Sequence, residues 1–61
     1  MEFNLIVKMD NAAFYGCEGM EIARILHGLA EIIKKDFTNS IIGGGKLFDN
    51  NGNSVGSWDV R

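Results

Sequence analysis

Cys17 and His27 are the residues of this chain best suited to nucleophilic, acid–base or metal chemistry, and each is the only one of its type. Glu31 follows His27 by one helical turn, a spacing at which a carboxylate can orient an imidazole as a general base. The sequence places no nucleophile beside that base, so an exposed helical pair is the simpler interpretation. A lone cysteine such as Cys17 is more typical of a small buried apolar side chain than of a catalytic thiol.

The spacing of these two residues also argues against a metal site. Structural zinc sites usually carry closely spaced pairs of ligands, which Cys17 and His27 do not form. We therefore predict that the protein is not an enzyme and that it has no catalytic residue, no metal site and no cofactor. The alternative that we keep is a small enzyme or metal site assembled around Cys17 and His27 across a dimer.

Two further segments resemble ligand-binding loops in composition but not in arrangement. The glycines at 43–45 precede Lys46, but a phosphate loop ends in Gly-Lys-Ser/Thr and opens a helix, whereas a strand follows here. Close backbone packing or a flexible connection is the favoured role of these glycines. Residues 49–52 lack the spacing of a calcium loop, and Val60 stands where its glutamate would be. We interpret them as a tight turn with Gly52 in the left-handed conformation.

The balance of charge argues against general binding of nucleic acids. Six basic and eight acidic residues give a net charge of −2 at pH 7, whereas phosphate binding needs a cationic surface. Contact through Lys34, Lys35 and Lys46 is the weakest hypothesis that we keep.

The sequence shows no apolar stretch of membrane-spanning length and no signal-peptide pattern, and its single cysteine suits a reducing compartment. We expect a cytoplasmic protein.

The elements that would position these residues can be traced from the spacing of apolar side chains. Residues 3–9 alternate between apolar and polar, with Ile6 as the exception, which predicts a strand with one buried face. From Met20 to Asp36 apolar residues recur every three or four positions, which predicts a helix. Two apolar runs flank the turn and predict a hairpin in which Leu47 faces Val55, and Phe48 faces Ser54.

We predict one α+β domain over residues 1–61, in the order strand, helix, strand, strand (βαββ). The sheet is expected to be three-stranded and mainly antiparallel, with the helix packed on one face. A central last strand would make every pairing antiparallel and keep the connections simple. In a regular strand Val55 and Trp58 would face opposite sides of the sheet, and a bulge at Gly56 would bring them onto the same face. The predicted core consists of Leu5, Val7, Ile22, Leu26, Leu29, Ile33, Leu47 and Trp58.

Small size and surplus apolar surface together predict a homodimer. A domain of this length buries only about 60% of its unfolded surface, and neither a disulfide nor a metal reinforces it. The apolar side of the helix is wider than the stripe of about 100° that a sheet needs. Without the bulge the sheet would be apolar on both faces. The predicted dimer interface is either the helix, through Ile25, Leu29 and Ile32, or the sheet, through Phe48 and Trp58.

The connection between the first strand and the helix contains two adjacent aromatic residues, Phe14 and Tyr15. Loops carry function more often than regular elements do, and exposed aromatic residues dominate the energetics of interfaces. The simpler interpretation is that both rings fold back over the edge of the core. The alternative is a binding loop, and on that hypothesis we predict Phe14 and Tyr15 as the partner-binding residues. This surface would act by binding a protein rather than by chemistry.

Three stretches, "MDNAAF", "EIARILHGLAEII" and "LFDNNGNSVGSWDV", give the chain a resemblance to short uncharacterised proteins encoded by phages and prophages. Those proteins often show an aromatic residue after the first strand, an "xxARILxxLA" helix and an "NGNxVG" hairpin. The resemblance implies an accessory phage protein in the bacterial host cytoplasm. It further implies an inhibitor or modulator that binds a host protein, such as a defence component, and it transfers no catalytic residue.

Overall fold

The elements follow one another along the chain in the predicted order of strand, helix, strand and strand. The computed structural model describes residues 1–37 and 41–61, which form β1 (Phe3–Val7), α1 (Glu18–Asp36), β2 (Gly44–Phe48) and β3 (Ser54–Val60), with a 3-10 turn at Ala12–Phe14. The strands lie in the order β1-β3-β2, and both pairings are antiparallel. The predicted α+β fold with a central last strand is confirmed.

The helix α1 begins at Glu18, rather than at Met20 as predicted, and ends at the predicted Asp36. The Glu21 N–H donates to the Cys17 carbonyl at 2.9 Å, which closes the first turn. Acidic residues lie in the first turn and lysines in the last, where each sign of charge favours the helix dipole. Within residues 1–37 and 41–61, no helix combines the length and apolar character that crossing a membrane requires.

The core lies between one side of α1 and one face of the sheet. The prediction is confirmed for Leu29, Leu47 and Trp58, which are buried. The other predicted core residues that pack against this cluster are partly buried: Leu5, Val7, Ile22 and Ile33. Phe14, Ile25 and Val55 are also buried in the cluster.

Leu26 does not belong to the core, and its prediction as a core residue is wrong. Its side chain is 42% exposed, because α1 buries the stripe that contains Ile25 and Leu29, and Leu26 lies on one flank of that stripe. Ile32 lies on the other flank and is 50% exposed. The apolar side of α1 is therefore wider than the part that the sheet covers.

A bulge in the hairpin decides which side chains share a face of the sheet. Leu47 pairs with Gly56, and Phe48 pairs with Ser54, so Val55 is the extra residue of β3. The predicted pairing of Phe48 with Ser54 is confirmed. The predicted pairing of Leu47 with Val55 is wrong, because the bulge lies at Val55 rather than at Gly56.

The bulge gives the sheet a single continuous apolar face. Val55 and Trp58 are both buried in the same core cluster, so the sheet is not apolar on both faces. On the outer face, β1, β3 and β2 contribute a row formed by Ile6, Ser57 and Lys46. The sheet therefore supports the predicted dimer less than the sequence suggests.

Trp58 lies at the centre of the core, and two glycines leave room for it. Its ring stacks on Phe3 at 5.8 Å between centroids and meets Phe37 edge-on at 5.7 Å. A β-carbon at Gly45 would lie 2.9 Å from Trp58 Nε1, and one at Gly44 would collide with the Trp58 carbonyl oxygen. The interpretation of these glycines as sites of close packing is thus confirmed.

Candidate functional site

Glu21 ties the start of α1 to the tip of the hairpin. This buried carboxylate accepts 2.9 Å hydrogen bonds from both Nε and Nη2 of Arg24, and a 2.7 Å hydrogen bond from the Asn50 backbone N–H. Arg24 Nη2 also donates to the Phe48 carbonyl at 3.1 Å. The pKa of Glu21 is lowered, chiefly because the hydrogen bond from Arg24 stabilises the charged carboxylate.

The side chain of Asp49 stabilises the hairpin turn by accepting hydrogen bonds. This buried carboxylate accepts hydrogen bonds from Asn11 Nδ2 at 3.0 Å and from the backbone N–H groups of Asn51 and Asn53 at 2.9 Å. The pKa of Asp49 is lowered, with the hydrogen bond from Asn11 as the largest cause. The N–H of Gly52, whose φ is +85°, donates to the Asp49 carbonyl, which confirms the left-handed glycine. The acceptors of both carboxylates are thus engaged by groups of the fold itself.

A groove of about 170 Å³ runs between α1 and β2. Arg24 and Lys46 border it, and Gly28 widens it, because a β-carbon at Gly28 would have no atom within 4 Å. The groove therefore has a mainly apolar lining with Arg24 at its border. Its other lining residues are all apolar: Ile25, Leu29, Ile32, Leu47, Phe48 and Trp58.

The strand beside this groove is an edge strand of the sheet. On its inner side, the Gly43 carbonyl accepts from the Val60 N–H and the Asp49 N–H donates to the Asn53 carbonyl, both at 2.9 Å. Backbone groups of an antiparallel strand point alternately to its two sides. The N–H and C=O groups of Gly44 and Lys46 therefore point away from β3. Within residues 1–37 and 41–61 these groups have no hydrogen-bond partner, so they form an unpaired edge along the groove.

All five residues predicted for the dimer interface line this one groove. The sequence assigns them to two separate surfaces, whereas the structure brings them together. Ile25, Leu29 and Trp58 are buried within the single chain, so they offer little surface to another molecule. Ile32 and Phe48 are 50% and 51% exposed and can make new contacts. The dimer itself stays a prediction.

The two residues predicted to bind a partner lie in different environments. Phe14 is 0% exposed, because the 3-10 turn directs its ring into the core. The expectation that Phe14 is an exposed anchor is therefore wrong. Tyr15 is 73% exposed and keeps its ring available for contact.

Cys17 and His27 lie apart within one chain. Cys17 is the N-cap of α1, and its Sγ donates to the Ala13 carbonyl at 3.3 Å. His27 follows ten residues later on the helix, which is about 15 Å along its axis. Among the described residues, no three side chains of the metal-binding types cluster. A site built from both residues would need two chains, and it stays a prediction.

The three lysines proposed for nucleic-acid contact come from two elements. Lys34 and Lys35 lie in the last turn of α1, whereas Lys46 lies in β2 beside the groove. Nucleic-acid contact through them stays a prediction.

The sequence pattern does not single out Arg24 or Gly28 as groove residues. A glycine inside an otherwise regular helix costs about 1 kcal/mol relative to alanine, so Gly28 is the signal that could have indicated the groove.

Comparison with known proteins assigns no family to the chain. No family model, no curated protein and no solved structure matches it. The resemblance to short phage and prophage proteins stays a prediction. The groove and its edge strand are therefore the features of the molecule that bear on its function.

Proposed function

We propose that this protein is a non-catalytic binding module that holds a segment of another protein in the groove between α1 and β2. The observation that carries the proposal is that an apolar groove meets a strand edge that is unpaired in the part of the chain the structure describes. Small-molecule sites usually enclose about 300–1,000 Å³, whereas this groove has about 170 Å³. Its size suits one or two side chains of a protein better than a metabolite.

The polar groups of the chain support binding rather than catalysis. Glu21 and Asp49 are the buried carboxylates, and donors of the fold occupy both. A general base needs a free acceptor within reach of a substrate proton. Their evident role is to fix the hairpin beside the helix, which keeps the groove in shape.

A bacterial host protein is the partner that we propose, and the resemblance to phage and prophage proteins supports this choice. The protein would then act as a phage accessory protein in the host cytoplasm, inhibiting or modulating its target by occupying a surface. A defence component is one such target. Tyr15 would add an aromatic contact outside the groove.

Homodimerisation is a second proposal, which the half-exposed Leu26 and Ile32 support. Both lie on the flanks of the α1 stripe that the sheet leaves uncovered. Sedimentation at micromolar concentration should then give about twice the chain mass of 6.7 kDa. A monomer at that concentration would contradict the dimer and leave the binding groove unaffected.

The experiment that tests the proposed function is capture of partners from bacterial extract on the immobilised protein, with identification by mass spectrometry. Gly28→Gln places a long side chain in the groove, and Gly19→Gln is the matched control, because a β-carbon at either glycine meets no atom within 4 Å. We expect a host protein to be retained by the wild type and by Gly19→Gln, and lost with Gly28→Gln. Capture of no specific protein, or equal capture by all three chains, would contradict the proposal.

A further inference from the structure

We infer that the groove takes its partner by strand addition: an extended segment with the pattern apolar–acidic–apolar pairs with the free edge of β2. The inference rests on the proposed function and specifies what the partner must contribute. Edge strands present a row of unpaired N–H and C=O groups that can template another chain. In β2 this row consists of the backbone groups of Gly44 and Lys46. Arg24 already engages the next outward carbonyl, that of Phe48.

Side chains alternate between the two faces of β2, and this alternation determines which side chains of the bound segment (the guest) enter the groove. Leu47 is buried in the core and Gly45 lies against Trp58, so these two positions face the helix. Lys46 lies between them and therefore faces the outer side of the sheet. A strand added beside β2 would continue both rows. The guest residue opposite Lys46 would lie on the outer face, and its two neighbours would point into the groove.

Lys46 determines the charge of the central guest residue. Opposite charges that face each other across two strands stabilise their pairing, and like charges destabilise it. Among the described residues, the two salt bridges are Arg24–Glu21 and Arg61–Asp59, and neither uses Lys46. An aspartate or glutamate opposite Lys46 would supply the missing counter-charge. The neighbours of that residue should be apolar, because they would contact Leu29 and Ile32.

A second copy of the chain fits this edge less well than an acidic segment does. β2 spans Gly44–Phe48, and Lys46 is its midpoint. Antiparallel pairing of two copies over the full strand would place the two Lys46 side chains directly opposite each other. An edge lysine of this kind is a common protection against self-pairing. The occupant that we propose is therefore a segment of a different protein.

The test is selection of random octapeptides from a display library on the immobilised protein, repeated with Lys46→Glu and Lys46→Gln. We expect the wild type to enrich peptides with an acidic residue between two apolar residues. Lys46→Glu should enrich a basic residue at the centre, and Lys46→Gln should show no preference of charge there. No enrichment, or the same acidic preference for all three proteins, would contradict the inference.

Amide hydrogen exchange of the complex with an enriched peptide locates the pairing. The N–H groups of Gly44 and Lys46 should gain protection, whereas those of Leu5 and Val7 on the free side of β1 should not. Gly28→Gln should raise the Kd of the peptide by roughly tenfold or more, whereas Gly19→Gln should leave it unchanged. Protection along β1 instead of β2 would contradict strand addition at this edge.

These outcomes separate the inference from the proposed function. If bacterial extract yields a partner whose binding Gly28→Gln abolishes, while Lys46→Glu changes nothing and Gly44 gains no protection, the groove binds proteins but strand addition is wrong. If neither a partner nor a peptide binds, both the proposed function and the inference are wrong.

Discussion

The backbone N–H of Asn50 donates a 2.7 Å hydrogen bond to the buried carboxylate of Glu21, which joins two residues that lie 29 positions apart in the chain. This bond, together with the bonds of Arg24 to Glu21 and to the Phe48 carbonyl, fixes the hairpin tip against the first turns of α1. The distance between α1 and β2 at one end of the groove thus depends on a polar contact rather than on apolar packing alone.

Removing the charge of Glu21 should therefore loosen the hairpin. We expect Glu21→Gln to lower the melting temperature clearly, because the amide presents donor hydrogens where a carboxylate oxygen accepts bonds now. Glu31→Gln is the matched control, since Glu31 is exposed on the same helix. Thermal unfolding followed by circular dichroism measures the difference. Equal melting temperatures for the two variants would contradict the role assigned to Glu21.

The stability of the fold should decrease in acid. The pKa values of Glu21 and Asp49 are lowered in the folded protein, so the unfolded chain binds protons more readily at both carboxyls. Their contribution is complete at neutral pH and is lost as the pH falls below about 4 and on through the folded pKa values. Urea unfolding between pH 7 and pH 3 measures this loss. The free energy of unfolding should vary less with pH for Glu21→Gln than for the wild type. Equal pH dependence in the two proteins would contradict the lowered pKa of Glu21.

Two glycines should respond to alanine in opposite directions. Gly45→Ala brings a methyl group to 2.9 Å from the Trp58 ring, and such overpacking costs about 1–3 kcal/mol. At Gly28 the new methyl group meets no atom within 4 Å, so Gly28→Ala should stabilise α1 by about 0.5–1 kcal/mol through its helix propensity. Urea unfolding of the two variants gives both values. A stabilising Gly45→Ala would show that the ring of Trp58 lies elsewhere.

The adjacent aromatic residues should behave differently when truncated. Phe14→Ala removes a fully buried ring and should cost about 3–5 kcal/mol of unfolding free energy. Tyr15→Ala removes an exposed ring and should change stability by no more than about 0.5 kcal/mol. The same unfolding assay compares them. If Tyr15→Ala weakens partner binding while the fold is unchanged, Tyr15 extends the binding surface as predicted; an unfolded Tyr15→Ala would place that ring in the core.

Local periodicity predicts most of this fold. β1 and α1 each carry their signal within consecutive residues, because burial of one face imposes a period of two on a strand and of 3.6 on a helix. The Asn51-Gly52 tip likewise predicts its own turn, since few residues other than glycine adopt a positive φ. None of these signals depends on contacts between distant parts of the chain.

The features that the sequence does not predict depend on such contacts. Phe14 has no periodic neighbours, so its burial depends on the direction in which the 3-10 turn leads the chain. The bulge at Val55 is set by which side chains the core can accept, and a shift of one residue reverses the face of all that follow. The groove needs α1 beside an edge strand far along the chain. Gly28, a residue unfavourable in the middle of a helix, is the sequence feature that lies at the groove.

The measurement that tests the binding role of the groove most directly is a chemical-shift map of the isotope-labelled protein, titrated with the host protein captured from bacterial extract. The largest changes should lie along the groove, at the amides of Gly28, Ile32, Gly44 and Lys46, with little change at Gly19 on the opposite side of α1. Changes confined to Tyr15 and the hairpin tip, with the groove amides unaffected, would show that the protein binds through another surface. That result would contradict the proposed binding role of the groove.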